Sequence, residues 1–155
     1  MSTKKPVEAG RLEEDLKRVD ALLSGLMVRV NSAMDEIIRE YTEESRALNA
    51  KRGKGDFGTT LVPRVKRQNK VKKPRVYWEV MEVRKGYART NNVPIRTQIS
   101  KKKAGYSEKS LRKFTDEKTY GLVMNTRGEL ERLEAFANSV GEAMKAIRRH
   151  SNDSE

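Results

Sequence analysis

Clustered lysines and arginines are the residues of this chain whose number and spacing suggest a chemical role. Ten of the 34 basic residues lie within residues 51–75 beside one acidic residue, and ten more lie within residues 84–114, again beside one. The net charge of +12 therefore comes from the middle of the chain. Positive charge confined to one zone favours a polyanionic partner more than a scattered excess would, because neighbouring cations can neutralise several phosphates together. Nucleic acid is the expected partner.

The candidate nucleic-acid contacts are the basic side chains of these two segments. In the first segment they are Lys66, Arg67, Lys70, Lys72, Lys73 and Arg75. We interpret this run as an extended arm that lies along phosphates and orders on binding, with a solvated linker as the alternative. In the second segment they are Arg84, Lys85, Arg89, Arg96, Lys101, Lys102, Lys103, Arg112 and Lys113. Any reading of bases is expected from Arg84, Arg89 or Arg96, since arginine can address guanine bidentately.

Catalytic and metal chemistry find little support in the sequence. The chain has no cysteine, so it has neither a disulfide framework nor a thiolate metal site. His150 is the only histidine and stands beside Arg149 near the end of a helical pattern. Residues 53–58 spell G-x-G-x-x-G, but a dinucleotide site needs a strand before that motif and a helix after it. We expect no enzyme activity, no cofactor and no metal, and a carboxylate-only metal nuclease is the alternative.

Two long helices are expected to carry the basic middle. Apolar residues recur at steps of mostly four and three along the first pattern: Leu12, Leu16, Val19, Leu23, Leu26, Val30, Ala33, Ile37, Tyr41 and Leu48. This heptad-like stripe predicts a helix over residues 10–49 after a flexible tail, 1–9. A second stripe, from Val123 to Ile147, predicts a helix over residues 115–150 followed by a tail, 151–155, with Thr115 and Thr126 as two possible starts.

Strand-like alternation lies between the helices. Val76, Trp78 and Val80 alternate with Tyr77 and Met81, and a shorter alternation covers residues 95–100. We therefore predict a small antiparallel β-hairpin or meander within a basic region, 75–114, preceded by a flexible basic loop, 50–74. The expected fold class is α+β, with the N-terminal and C-terminal helices packed antiparallel.

This layout resembles the MobI-type accessory proteins of conjugative elements. The resemblance covers about residues 75–149: the aromatic-rich strand at 76–86, the second strand at 95–100, the loop at 101–106, residues 111–114 and the closing helix. It implies a DNA-binding accessory factor for the initiation of conjugative transfer at the origin of transfer, with a relaxase or other transfer proteins as partners. A relaxase itself uses a tyrosine together with a metal ion that is bound by several histidines. A chain with one histidine cannot form that metal site.

The sequence also bears on location and assembly. No apolar stretch follows the first residues, and no run approaches the roughly 18 apolar residues of a membrane span. We expect a cytoplasmic protein without membrane contact. The stripes allow the helices to pair within one chain or between two, so a homodimer is possible. The alternative functions are a dimeric coiled-coil adaptor whose basic middle recruits an acidic protein, and an RNA-binding protein.

Overall fold

The chain folds into two long helices and a small antiparallel sheet. The computed structural model describes residues 4–50, 60–68, 72–82, 95–98, 111–112, 115 and 117–153. Within these residues the elements, in chain order, are the helix α1 (Lys4–Ala50), the strands β1 (Thr60–Gln68), β2 (Lys73–Glu82) and β3 (Ile95–Gln98), and the helix α2 (Glu117–Asp153). The two helices pack against each other, so the predicted α+β class is confirmed.

The helix pair is antiparallel, as expected. Arg148 near the C-terminal end of α2 bonds to Asp20 in the N-terminal half of α1, with 3.0 Å between Nε and Oδ1. The buried apolar residues of the pair are Met27, Val30, Met34 and Tyr41 of α1 and Val123, Leu130, Ala137, Val140 and Met144 of α2. Met27 lies beside the predicted stripe, because the middle of α1 packs against both α2 and the sheet.

The helix bounds differ from those predicted. α1 already includes residues 4–9, which were expected to be a tail. Pro6 is compatible with this start, since the N–H groups of a first helical turn have no intrahelical partner to lose. α2 begins two residues after Thr115 and contains Thr126 as a buried interior residue, so the start at Thr126 is wrong. It also continues through residues 151–153, which were assigned to the second tail.

The sheet has the strand order β1-β2-β3 with antiparallel pairs. β1 pairs with β2 from Thr60↔Met81 to Gln68↔Lys73. This corrects the predicted flexible loop at residues 50–74, of which residues 60–68 form a strand. Pro63 and the basic run concealed the strand, but an edge strand tolerates proline because its missing N–H can face away from the neighbouring strand. Within the described residues, β3 pairs with the far end of β2, from Glu79↔Gln98 to Glu82↔Ile95.

One face of the β1–β2 hairpin packs on the helices. Leu61, Val76, Trp78 and Val80 are buried on this inner face, and Trp78 is only 1% exposed. The ring of Tyr41 meets Trp78 edge to face, with the centroids 5.6 Å apart and the planes at 85°. This joint between α1 and the sheet directs the opposite face of the hairpin away from the helices.

The hydroxyl of Tyr41 lies inside this joint and donates a hydrogen bond to the backbone carbonyl of Leu61. Burial raises the pKa of Tyr41 well above its usual range, and the hydrogen bond with Ser45 acts in the opposite direction. The phenol is therefore neutral and serves as a donor that ties the end of β1 to α1.

Glu134 of α2 accepts a hydrogen bond from the backbone of β2. The backbone N–H of Val76 donates to Glu134 Oε2 at 2.8 Å. Glu134 is half-buried. The carboxylate therefore ties β2 to α2.

Candidate nucleic-acid interface

The outer face of the β1–β2 hairpin carries four of the chain's basic side chains. Side chains alternate between the two faces of a strand, so the residues between the buried positions point away from the helices. We define the outer face as Arg64, Lys66, Lys73, Arg75, Tyr77 and Glu79. The register sets Arg64 opposite Tyr77, Lys66 opposite Arg75, and Gln68 opposite Lys73. The cations therefore lie next to one another on two adjacent strands.

The pairing of Lys66 with Arg75 is unfavourable for the fold alone. Like charges directly opposite each other destabilise an antiparallel pair, and Lys73 adds a third cation two residues from Arg75. Lys66 and Arg75 are exposed and Lys73 is half-buried. A bound anion would relieve this repulsion, which makes the outer face suited to phosphate.

The carboxylate of Glu79 is paired with the fourth cation of the outer face. Arg64 Nε lies 3.3 Å from Glu79 Oε2, and the two side chains are 35% and 17% exposed. Within the described residues, no ion pair involves Lys66, Lys73 or Arg75. These three cations are available to an anionic ligand, while Arg64 is held beside Tyr77 by its partner.

Arg67 has a structural role that differs from its predicted one. Its Nε donates to Asn31 Oδ1 at 2.9 Å, and its Nη2 donates to both carboxylate oxygens of Asp35 at 2.8 Å. Asn31 Nδ2 also donates to the backbone carbonyl of Lys72 at 3.1 Å. Lys72 ends the turn between the strands with a φ of 57°. We call Asn31, Asp35, Arg67 and Lys72 the turn anchor, because they fix the β1–β2 turn to α1.

The other predicted contacts lie in different places. Lys72 is exposed beside the outer face. Arg96 is in β3, in register with Met81. Arg112 is exposed and stacks on Tyr120, with 4.4 Å from the guanidinium carbon to the ring centroid. The remaining predicted contacts fall outside the described residues: Lys70, Arg84, Lys85, Arg89, Lys101, Lys102, Lys103 and Lys113.

Arg64 and Tyr77 belong to this surface although neither is among the contacts predicted from the sequence. Arg64 lies in the basic segment that the sequence predicts as a loop, and so the sequence does not indicate its place beside β2. Tyr77 was recognised as lying on the face opposite Trp78, and that alternation was the available signal. It is half-buried among charged neighbours, and a tyrosine ring among cations can stack on a nucleic-acid base.

The described residues give no support to a metal site or a membrane span. None of their histidine and carboxylate side chains form a group of three or more that could hold a metal ion. Neither of the described helices combines the length and the apolar character needed to cross a membrane. The absence of enzyme activity stays a prediction.

The family model of the MobI protein matches residues 30–148. This range includes the outer face and the turn anchor. It also includes the part of α1 from Val30 onward and nearly all of α2. No curated protein matches, and no solved structure matches. Since the family match covers well over half of the chain, the chain belongs to the MobI family, which indicates an accessory protein of mobilisation and conjugative transfer.

Proposed function

We propose that this protein is a non-catalytic DNA-binding accessory factor, which acts in the cytoplasm at the origin of transfer when conjugative transfer begins. The observation that carries the proposal is the row of cations on the outer face, with Lys66 directly opposite Arg75 and Lys73 beside them, which form no ion pair with any other described residue. Membership of the MobI family supports a role in conjugative transfer. The cations of the outer face support DNA as the ligand. A relaxase or another transfer protein is the proposed protein partner.

The spacing of the cations suits a phosphate backbone. Neighbouring strands lie about 4.8 Å apart, and positions two residues apart on a strand are separated by about 7 Å. Lys66, Lys73 and Arg75 can therefore address adjacent phosphates without rearrangement of the sheet. Contacts of this kind position a protein on DNA and carry no sequence information themselves.

Tyr77 gives the outer face a second mode of contact. Tyr77 is in register with Arg64 of β1, and it lies two residues from Arg75 and two from Glu79 along β2. An aromatic ring within a basic surface can stack on an unpaired base of any type, which favours single-stranded DNA. The outer face therefore combines contacts to the backbone with one platform for a base.

The proposal is tested by titrating the full chain against labelled duplex DNA, single-stranded DNA and RNA of one sequence at several salt concentrations. For duplex DNA, log affinity should fall with log salt by about 0.9 per phosphate contact. The double variant Lys66→Ala, Arg75→Ala should flatten that slope by about 1.8. The matched control is Arg18→Ala, Arg149→Ala, which removes two exposed cations from the other end of the helix pair and should leave the slope unchanged.

Other outcomes assign other functions. A stronger affinity for RNA than for either form of DNA would make the protein an RNA-binding factor. Equal weakening by the outer-face variant and the control would show that binding follows total charge and not this surface. Absence of binding to all three nucleic acids at low salt would favour the adaptor whose basic middle recruits an acidic protein.

A further inference from the structure

One carboxylate lies within the cationic outer face. Glu79 follows Tyr77 by two residues on β2, so both side chains lie on the same side of the hairpin. An acidic side chain opposes phosphate binding, because it lowers the positive potential of the surface around it. Contacts to the DNA backbone therefore give Glu79 no role on this face.

The contact between Arg64 and Glu79 fixes the direction of both side chains. Arg64 Nε lies 3.3 Å from Glu79 Oε2, and both side chains are half-buried. Within the described residues, neither of them makes a further hydrogen bond. Among those residues, Oε1 of Glu79 and the Nη groups of Arg64 are thus left for a ligand. The pair presents donors next to acceptors, beside the position of Tyr77.

The outer-face positions along β2 follow the order of the parts of one nucleotide. Arg75, Tyr77 and Glu79 succeed one another at steps of about 7 Å. Lys66 adds a second cation at one end, directly opposite Arg75. A phosphate held at this cationic end would place its base over the ring of Tyr77. The edge of that base would then face Glu79 and Arg64.

Guanine is the base whose edge complements the pair of Arg64 and Glu79. Its Watson–Crick edge carries the acceptor O6, followed by the donors N1–H and N2–H₂. An arginine beside a carboxylate offers the reverse order, donor groups followed by acceptor oxygens. Adenine and cytosine offer a carboxylate a single amino group next to a ring nitrogen that only accepts. Thymine offers a single N–H between carbonyls, so guanine alone supplies adjacent donors.

We propose that Arg64, Tyr77 and Glu79 form a subsite for one unpaired guanine of single-stranded DNA. Tyr77 stacks on the base, Glu79 accepts from N1–H and N2–H₂, and Arg64 holds the carboxylate and donates to O6. The inference rests on the proposed DNA binding of the outer face and adds base selection to it. In duplex DNA the same edge of guanine is bonded to cytosine, so the subsite acts only where the strands are separated.

Titration of the full chain with short labelled strands tests the subsite. The strands contain thymine except at one central position, which holds guanine, hypoxanthine, adenine, cytosine or thymine. The guanine strand should bind roughly tenfold more tightly than the adenine, cytosine and thymine strands, since a bidentate contact discriminates between bases by about that factor or more. Hypoxanthine lacks only the N2 amino group of guanine, so its strand should have an intermediate affinity. All strands carry the same phosphates, and these ratios should therefore not change with salt.

Glu79→Gln should abolish the preference for guanine. It should keep or increase the affinity for the thymine strand, because it removes a negative charge beside the cations. The matched control is Glu131→Gln, which removes the carboxylate of another arginine pair, with 2.8 Å between Arg127 Nε and Glu131 Oε1. This control should leave the preference unchanged. Circular dichroism checks that both variants are folded, and the comparison of guanine with hypoxanthine on the wild-type chain needs no variant.

Three results would overturn the subsite and leave DNA binding intact. The first is equal affinity of the wild-type chain for the guanine strand and for the hypoxanthine or adenine strand. The second is a guanine preference that persists in folded Glu79→Gln. The third is equal weakening of all strands by Glu79→Gln, which would limit Glu79 to support of the hairpin. Absence of binding to every strand at low salt would instead reject the proposed function and the subsite together.

Discussion

The carboxylate of Glu134 in α2 accepts a hydrogen bond from the backbone N–H of Val76 in β2, at 2.8 Å. This contact fastens the strand that carries the outer face to the helix behind it. Glu134→Ala should leave the N–H of Val76 without its partner and lower the free energy of unfolding by about 1–3 kcal/mol. Denaturant titration measures the change. Glu129→Ala removes an exposed glutamate from the same helix and should change stability by less than about 0.5 kcal/mol.

Replacement of the Tyr41 hydroxyl should make stability less sensitive to alkaline pH. The pKa of Tyr41 is raised in the folded state, so above the ordinary tyrosine pKa of about 10 the unfolded chain loses a proton that the folded chain keeps. Stability is therefore fully present below that pH and declines above it. Tyr41→Phe should cost about 1 kcal/mol at neutral pH and should lose less stability than wild type between neutral pH and pH values above about 10. Parallel losses in the two proteins would contradict this assignment.

Two neighbouring cations on β1 should behave differently in DNA binding. Lys66 is exposed on the outer face, whereas Arg67 is bonded to Asn31 and Asp35. Lys66→Ala should flatten the salt dependence of duplex binding by about 0.9, and Arg67→Ala should leave it nearly unchanged. Each variant loses one positive charge, so each controls for the other. A larger effect from Arg67 would mean that the turn anchor opens when DNA binds.

Tyr77 should matter more for single-stranded DNA than for duplex. Tyr77→Ala should weaken single-strand binding by about 1–3 kcal/mol if one base stacks on the ring. Tyr77→Phe keeps the ring and should keep the affinity. Equal losses on both forms of DNA would indicate that the ring supports the hairpin and does not contact a base.

A charge in the buried part of the helix pair should unfold the protein, and the same charge on the exposed N-terminal part of α1 should not. Leu130 is fully buried, and Leu12 is 60% exposed. Leu130→Asp places a carboxylate in an apolar core, at a penalty comparable with the whole stability of about 5–15 kcal/mol. Leu12→Asp should keep wild-type helicity by circular dichroism. Aspartate at the half-buried positions Leu23 and Leu133 should give intermediate losses.

The helices could be predicted from the sequence because burial repeats along them at helical spacing. Val30, Ile37, Val140 and Met144 carry that signal directly. The start of α1 was missed because residues 4–9 have no apolar stripe. β1 was missed because its buried side is short and contains Pro63, while its other side looks like a linker.

The outer face could be predicted only in part. The clustering of basic residues was evident from composition, but which of them share a surface depends on the register between β1 and β2. That register separates Lys66 from Arg67 and brings Lys66 next to Arg75. The bond from Val76 to Glu134 joins residues 58 positions apart, and a single sequence carries no signal for such a contact.

The position of Trp78 provides a natural optical probe of this fold. It is the only tryptophan of the chain, and it lies against Tyr41 on the inner face of the strand whose outer face carries Arg75 and Tyr77. Its fluorescence therefore comes from a single, solvent-shielded ring between α1, α2 and the sheet. During a titration with DNA, the emission should stay blue-shifted and protected from soluble quenchers. That result would mean that DNA occupies the opposite face of the hairpin and that the contact between Trp78 and Tyr41 is kept.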